Sequence, residues 1–378
     1  MHDYDAIVIG TGGVGSAAVM QLAVRGARVL GLDRFAGGHD RGSSHGQTRV
    51  IRRAYFEHSD YVPLVQRAFE LWDELERASE QRLFQQTGLL QVGPAHGLVL
   101  PGVLRSARQH QLDVESFTAD EVGRRFPGFV AAPDCAAVLE TGAGFLYVER
   151  CVLAHLAEAR RHGAELRSDV TVRSWRTSGD DVVVETDQGA FAAGRLVIAA
   201  GAWAGELLAD LGVPLRVLRK PLHWFANDDP RYGLAQGCPV FLYECPGGVF
   251  YGFPDLDDGR GLKAADHHGG AVVDDPLAVS REVDTAEHDN VARFLAQHLP
   301  GVSHRAIGHA VCMYTMSPDE HFIVDRHPGC PQVAFAAGLS GHGFKFTSVL
   351  GEALADLALE GATTLPIGFL SVGRFGVS

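Results

Sequence analysis

Several common features are missing from this sequence. Its six cysteines are scattered over 378 residues, and no two of them form a CxxC pair. This spacing argues against a disulfide scaffold and a zinc site, and it predicts reduced thiols in a cytoplasmic protein. No uninterrupted apolar run approaches the ~20 residues that cross a bilayer. A secretory signal requires a basic segment before its apolar run, and the apolar run at this N-terminus has none. We therefore expect neither a membrane partner nor a bound metal.

A surplus of positive charge is missing as well. The formal net charge of −13 at pH 7 disfavours nucleic acid and anionic membranes as partners. A hydrophobic content of 46% and a charged content of 21% are found, which is typical of a globular protein. Because 378 residues are many for one compact core, we expect two closely packed domains.

The N-terminal segment carries the most informative motif. A buried-strand pattern at residues 6–9 precedes the turn GTGGVG at residues 10–15, and a helical pattern and a second strand ending at Asp33 follow. The glycines let backbone N–H groups approach a pyrophosphate at a helix N-terminus. Asp33 lies where a carboxylate accepts hydrogen bonds from ribose hydroxyls. The motif predicts a bound adenine dinucleotide and does not distinguish FAD from NAD.

Strand and helix signals alternate along the rest of the chain, which favours an α/β fold. Helices are predicted over residues 61–77 and 150–162, and a strand is predicted over residues 165–175. Residues 216–300 have frequent aromatics and glycine-rich turns, as in a mostly antiparallel sheet. The strand at residues 196–200 ends in the small-residue turn GAWA, which either approaches the dinucleotide or is only a tight connection.

Four further segments carry chemistry-bearing residues in a specific order. They are GSSHGQTRVIRRAY (42–55), FYGFP with GLKAADHHGG (250–254 and 261–270), HAVCMYTMSPDEHFIVD (309–325) and GLSGHGFKF (338–346). Over essentially the whole chain, these segments resemble the monomeric sarcosine oxidase and N-methyltryptophan oxidase family of FAD-dependent amine oxidases. The resemblance implies FAD as the cofactor and a monomeric enzyme.

The resemblance also implies a domain plan. A glutathione-reductase-type FAD-binding domain would comprise residues 1–85, 150–215 and 310–378. A substrate domain of residues 86–149 and 216–309 would place a mostly antiparallel sheet over the flavin, so that the fold class is α/β with an α+β cap.

The family pattern assigns cofactor contacts residue by residue. The residues matched to FAD are Gly10, Gly12, Gly13, Val14, Gly15, Asp33, Arg34, Ser43, His45, Gly46, Thr48, Val172, Gly201, Trp203, Cys312, Met313, Gly341, His342, Gly343 and Lys345. Among them Cys312 would attach the flavin covalently through its 8α carbon, and a thiolate is a suitable nucleophile for that bond. Taken alone, an isolated cysteine is more often a small buried hydrophobe.

The resemblance divides the remaining site residues between substrate binding and catalysis. Arg52 and Lys345 would hold the substrate carboxylate, since a desolvated carboxylate needs charge and donors. Lys263 and Arg49 would place positive charge beside the flavin for the reaction with O₂, and Thr48 would bond near Lys263 through water. The residues expected to line the substrate cavity are Tyr251, Leu242, Gly341, His267 and Tyr314. Of these, His267 and Tyr314 are assigned to catalysis, with His267 as the neighbour that disfavours protonation of the substrate amine.

Together these residues predict oxidation of an N-methyl amino acid to an imine, which hydrolyses to formaldehyde and the primary amino acid, while O₂ becomes H₂O₂. Ser44 and Gln47 depart from the family loop and leave the substrate open. An imino-acid oxidase or dehydrogenase of the proline or pipecolate type remains an alternative. An NAD-dependent dehydrogenase leaves Cys312 unexplained, and a non-catalytic dinucleotide-binding protein leaves Arg52 and Lys263 unexplained.

Overall fold

The structure, a computed structural model, describes residues 3–377. Its α-helices in chain order are α1 (Gly13–Val24), α2 (Tyr61–Ser79), α3 (Val99–His110), α4 (Ala119–Arg125), α5 (Val148–Arg161), α6 (Ala204–Leu207), α7 (Thr285–His298) and α8 (Thr347–Leu359). None of the helices in this part of the chain combines the length and apolar character that crossing a bilayer requires.

The strands belong to three sheets. In chain order they are β1 (Tyr4–Ile9), β2 (Val29–Leu32), β3 (Thr48–Ile51), β4 (Phe84–Gln86), β5 (Leu89–Pro94), β6 (Glu115–Thr118), β7 (Cys135–Glu140), β8 (Gly144–Tyr147), β9 (Glu165–Arg167), β10 (Val172–Ser178), β11 (Asp181–Thr186), β12 (Gly189–Ile198), β13 (Arg216–Phe225), β14 (Val240–Cys245), β15 (Gly248–Phe253), β16 (Leu262–Asp266), β17 (Ala306–Met316), β18 (Ile323–His327) and β19 (Cys330–Ala337).

The first sheet is built around the N-terminal strand. Its order is β10-β11-β12-β1-β2-β9, and β19 lies beside β12 and pairs with β18. The pairs β1–β2, β1–β12 and β12–β19 are parallel, while α1 packs against α5 and α8. Parallel strands covered by helices place their carboxyl ends at one edge, where α/β proteins bind ligands.

The second sheet is mixed and large. Its order is β17-β13-β16-β15-β14-β5-β7-β6, and its pairs are antiparallel apart from the parallel pair β14–β5. One face packs on α7, where the rings of Phe250 and Phe294 stack with centroids 4.6 Å apart. The opposite face carries Leu242, Tyr251 and Cys312 toward the first sheet. A small sheet in the order β3-β8-β4 completes the molecule.

The α/β class is confirmed, and α2 and α5 confirm the two predicted helices within two residues at each end. The continuous strand over residues 165–175 is wrong. The chain there forms β9 and β10, separated by a bend in which Asp169 has a left-handed φ of 60°. A non-glycine residue in that region breaks a strand, and aspartate tolerates it better than most residues.

Candidate active site

A deep cleft connects the carboxyl edge of the first sheet with the second sheet. The predicted site residues that line it are Gly10, Gly12, Gly13, Val14, Asp33, Arg34, Ser43, Arg49, Arg52, Val172, Gly201, Trp203, Leu242, Tyr251, His267, Cys312, Met313, Tyr314, Gly341, His342, Gly343 and Lys345. Among residues 3–377, the predicted site residues that do not line the cleft are Gly15, His45, Gly46, Thr48 and Lys263.

The turn after β1 is shaped to accept a dinucleotide. Gly10 has a φ of 85°, and a Cβ on Gly15 would overlap the carbonyl oxygen of Gly10. The turn therefore tolerates only glycine at these two positions, and it brings the N-terminus of α1 to the cleft. The carboxylate of Asp33 accepts hydrogen bonds from the backbone N–H of Thr11 at 2.6 Å and of Phe35 at 2.9 Å. The glycine turn and the N-terminus of α1 fit the pyrophosphate of an adenine dinucleotide, and the oriented carboxylate of Asp33 fits its ribose.

The loop before β3 is tied down from two sides. Glu149, in the first turn of α5, accepts from the backbone N–H groups of Gly46 at 2.7 Å and of Gln47 at 3.1 Å. Ser43 Oγ donates to the carbonyl of Met313 at 2.6 Å. Burial lowers the pKa of His45 to about 4, so the ring is neutral and supports this loop from behind the cleft wall.

Cys312 lies under this loop, on β17. Its Sγ donates to the carbonyl of Ser43 at 3.3 Å, and Arg49 Nη2 donates to the same sulfur at 3.2 Å. The thiol is 1% exposed and lines the cleft. The Arg49 guanidinium therefore places a positive charge beside this potential nucleophile.

Lys263 is enclosed rather than open to the cleft. Its Nζ donates to the carbonyls of Gly46 at 2.5 Å and Thr48 at 2.8 Å, and to Thr48 Oγ1 at 3.1 Å. The contact with Thr48 is direct in this structure, without the bridging water that the resemblance implies. The reason is that β3 and β16 lie close enough for the lysine to reach the loop. Burial, followed by the charge of Arg49, lowers the pKa of Lys263 well below its ordinary value.

Arg52 carries a carboxylate from its own chain. Its Nη2 donates to both oxygens of Glu57, at 2.8 and 2.7 Å, and the guanidinium lies 4.2 Å from the ring centroid of Tyr55. Burial alone would raise the pKa of Glu57, but Arg52 and nearby cations lower it to about 2. A buried ionised carboxylate on Arg52 marks a position suited to a carboxylate ligand.

Lys345 lies on the same side of the cleft. Its Nζ donates to the carbonyl of His342 at 2.7 Å and lies 3.4 Å from Tyr55 Oη. Burial and the charge of Arg52 lower the pKa of Lys345 to about 7. An incoming anion would restore the charge of this ammonium, which makes Lys345 a suitable partner for Arg52.

His267 and Tyr314 form a further part of the wall. His267 Nδ1 and Tyr314 Oη are 3.2 Å apart, and the Tyr314 ring packs over Gly341, whose φ is 80°. Burial and then the charge of Lys220 lower the pKa of His267 to about 3. The imidazole is therefore neutral at physiological pH and can accept or donate one hydrogen bond to a ligand.

Two residues near this cleft were missed by sequence reasoning, Glu57 and Lys220. Glu57 follows the arginine-rich segment by a few residues, and a lone glutamate after a loop carries no specific signal. Lys220 lies within a strand pattern without any motif. No group of histidine, cysteine and acidic side chains in residues 3–377 is arranged to hold a metal.

The sequence of this chain is similar to those of known proteins. The family model described as FAD dependent oxidoreductase matches residues 5–357. A monomeric sarcosine oxidase of Streptomyces avermitilis is 43% identical over 382 aligned residues, which cover 99% of this chain and 98% of the relative. An N-methyl-L-tryptophan oxidase of Yersinia pestis is 38% identical over 375 residues, 99% of this chain and 100% of the relative.

Solved structures extend the likeness to the fold. NikD, an unusual amino acid oxidase essential for nikkomycin biosynthesis, superposes with a TM-score of 0.87 at 26% identity, covering 98% of both chains. An L-proline dehydrogenase from P. horikoshii superposes with a TM-score of 0.85 over 99% of this chain and 98% of its own, at 21% identity. The likeness to the L-proline dehydrogenase concerns the fold alone.

Proposed function

The chain belongs to the FAD-dependent oxidoreductases, in the family of the monomeric sarcosine oxidases and N-methyl-L-tryptophan oxidases, and on this basis we propose that it oxidises an N-methyl amino acid. The secondary amine, O₂ and water would give the primary amino acid, formaldehyde and H₂O₂. When bound, FAD would accept a hydride, that is two electrons and a proton, from the substrate and would pass the two electrons to O₂.

The observation that carries this proposal is the buried carboxylate site at Arg52. Arg52 and Lys345 lie on one side of the cleft, and the Arg52 guanidinium binds the side-chain carboxylate of Glu57. A substrate carboxylate that replaced Glu57 would gain a charge-assisted, two-pronged contact. Anchoring one end of the substrate fixes the position of the other, and positioning of this kind can lower a barrier by about 7–11 kcal/mol in favourable cases.

The part of the wall formed by His267 and Tyr314 suits the amine end of the substrate. An amine must lose its proton before its C–H bond is oxidised, and the depressed pKa of His267 shows that positive charge is disfavoured there. Neutral His267 can then hydrogen-bond the amine nitrogen, with Tyr314 holding the ring in place. We propose these two residues as the ones that orient the reacting nitrogen.

The residues around the glycine turn would hold the dinucleotide, and we propose that Cys312 holds it covalently. A thioether between Sγ and the 8α carbon of bound FAD would form with loss of one hydrogen from each, and the two electrons released would pass to O₂, the oxidant that the proposed reaction already uses. Arg49 supports this step because it lies on the sulfur at 3.2 Å. We further propose that Lys263 and Arg49 supply the positive charge that favours electron transfer to O₂.

The test is a spectrum and an assay on the purified protein. Yellow colour that stays with the acid-precipitated pellet, and moves to the supernatant in Cys312→Ser, is expected. H₂O₂ and formaldehyde should appear in equal amounts with a panel of N-methyl amino acids. Formation of H₂O₂ without formaldehyde from proline or pipecolate would replace the substrate class, and absence of H₂O₂ from every compound would reject the oxidase. The two-domain division, monomeric state and cytoplasmic location stay predictions.

A further inference from the structure

Lys220 is a buried cation to which the proposed reaction gives no part. It lies on β13, directly opposite Cys312 of β17, and is 2% exposed. Its Nζ donates to three successive backbone carbonyls, those of His267 at 3.0 Å, His268 at 2.7 Å and Gly269 at 3.0 Å. All three protons of the ammonium are therefore used by one short segment.

This segment needs an external partner to keep its shape. It follows the end of β16, and Gly269 and Gly270 have φ angles of 62° and 115°, so a tight turn points its carbonyl oxygens to one side. Three carbonyl dipoles that converge without a donor would be costly when buried. The ammonium of Lys220 supplies that donor, and the N–H of His267 fixes the start of the turn on Val249 at 2.7 Å.

We propose that Lys220 is a positioning residue for His267, because its ammonium holds the carbonyls of residues 267–269 and thereby fixes the imidazole in the cleft. The inference rests on the proposed function, in which His267 orients the substrate amine. Lys220 touches neither end of the substrate in this arrangement and acts through the turn alone.

The charge of Lys220 adds a second effect on His267. Its ammonium lies 5.1 Å from the centroid of the Tyr314 ring, and after burial it is the largest cause of the low pKa of His267. Burial lowers the pKa of Lys220 itself to about 8. The titratable groups that face Lys220 are Asp266, His267 and His268 on β16 and its loop, Glu287 on α7, and Cys312 and Tyr314 on β17. As the pH rises through about 8, two N–H donors are left for three carbonyls.

The neighbouring residue on the same strand offers a matched control. Arg219 is also buried, and it donates to the carbonyls of Ser280 at 2.8 Å and Glu282 at 2.6 Å and to the carboxylate of Glu287. Arg219 thus fixes residues 280–287 in the way that Lys220 fixes residues 267–269. Within the described chain, residues 280–287 lie outside the wall of the cleft.

The experiment compares Lys220→Met and Arg219→Met in the flavin-loaded enzyme. Amide hydrogen exchange should become about 10-fold faster or more at residues 267–270 in Lys220→Met, and at residues 280–287 in Arg219→Met. The kcat on the preferred N-methyl amino acid should fall about 10- to 100-fold in Lys220→Met alone, because displacement of His267 by ~1 Å misaligns the amine. Binding of acetate, which probes Arg52 and Lys345, should change less than about twofold in both variants.

Unchanged kcat in Lys220→Met with faster exchange at 267–270 would overturn the positioning role, and so would an equal loss of kcat in Arg219→Met. Unchanged amide exchange at residues 267–270 would show that Lys220 does not hold this turn in place. Should Lys220→Met fail to fold, Lys220→Gln keeps N–H donors without charge, and its exchange at 267–270 must still exceed that of the wild type. A wild-type enzyme that is inactive on every N-methyl amino acid would reject the proposed function. The exchange measurement would still decide whether Lys220 holds the turn at residues 267–269.

Discussion

Arg52 binds the carboxylate of Glu57 through both of its oxygens, at 2.8 and 2.7 Å, inside the cleft that is open to substrate. If a substrate carboxylate takes the place of Glu57, the two compete for one guanidinium. Glu57→Gln removes the charge of the competitor and keeps its shape. We expect acetate to bind about 10-fold more tightly to the variant, equivalent to about 1.4 kcal/mol, as measured by the change in visible flavin absorbance.

A second arginine–glutamate pair provides the control for this prediction. Arg67 donates to Glu352 at 3.0 and 2.7 Å, and the two residues lie on α2 and α8 outside the wall of the cleft. Glu352→Gln should leave acetate binding unchanged. Weaker or unchanged binding of acetate in Glu57→Gln would show that Arg52 does not exchange one carboxylate for another.

The pH dependence of carboxylate binding should follow Lys345. Burial lowers the pKa of this lysine to about 7, so its ammonium is present below pH 7 and lost above it, while acetate stays ionised throughout. The dissociation constant of acetate should therefore rise as the pH increases from 6 to 9. In Lys345→Met binding is weaker at pH 6, approaches that of the wild type at pH 9, and this step disappears; a persistent step would assign the titration to another group.

Arg49 should control the rate at which flavin becomes covalently attached. Its Nη2 lies 3.2 Å from Cys312 Sγ and places a positive charge where negative charge would develop as the sulfur reacts. When apoprotein is incubated with FAD, Arg49→Gln should form acid-stable flavin about 10-fold more slowly or worse, since about 1.4 kcal/mol changes a rate tenfold. Arg53→Gln is the matched control, because that guanidinium packs on the ring of Phe69 instead. Attachment at the wild-type rate in Arg49→Gln would remove this role.

The parts of this fold that the sequence predicts are those in which local chemistry decides the structure. The turn GTGGVG is recognisable because a side chain on Gly15 would overlap the carbonyl of Gly10, so no other residue fits. Helix α2 is recognisable because its apolar residues recur with helical spacing. Most of the predicted site residues come together in one cleft. The glycine turn and residues 338–346 follow strands of the first sheet, while Leu242, Tyr251 and Cys312 lie on the face of the second sheet that is turned toward it.

The residues that sequence reasoning missed depend on contacts distant along the chain. Lys220 and the carbonyl of His267 are 47 residues apart, and only the pairing of β13 with β16 and β17 brings them together. Asp169 breaks a predicted strand through its own backbone conformation, which composition does not reveal. The enclosure of Lys263 is a similar case, because it depends on how closely the loop at Gly46 approaches β16.

Lys263 should act on the reaction with O₂ and leave the reaction with substrate nearly unchanged. In Lys263→Met, reduction of the flavin under anaerobic conditions should proceed at a similar rate, while reoxidation by O₂ should slow about 10²- to 10³-fold, the range seen when one fixed electrostatic group is lost. Because burial lowers the pKa of Lys263, reoxidation in the wild type should also slow as the pH rises. Stopped-flow absorbance separates the two half-reactions, and slower reduction alone would contradict the assignment.

The position of Tyr314 should depend on the lack of a side chain at Gly341. A Cβ at this position would overlap the Tyr314 ring, and Gly341 has a φ of 80°. Gly26 has a φ of 85°, and a Cβ there would meet no atom of the described residues within 4 Å, so Gly26→Ala imposes the backbone strain without the overlap. We expect both alanine variants to lose about 1–2 kcal/mol of stability from the left-handed backbone. Only Gly341→Ala should also lose kcat, because the displaced Tyr314 ring no longer holds its hydrogen bond to His267. Equal kcat in the two variants at matched flavin content would show that Tyr314 does not orient the amine.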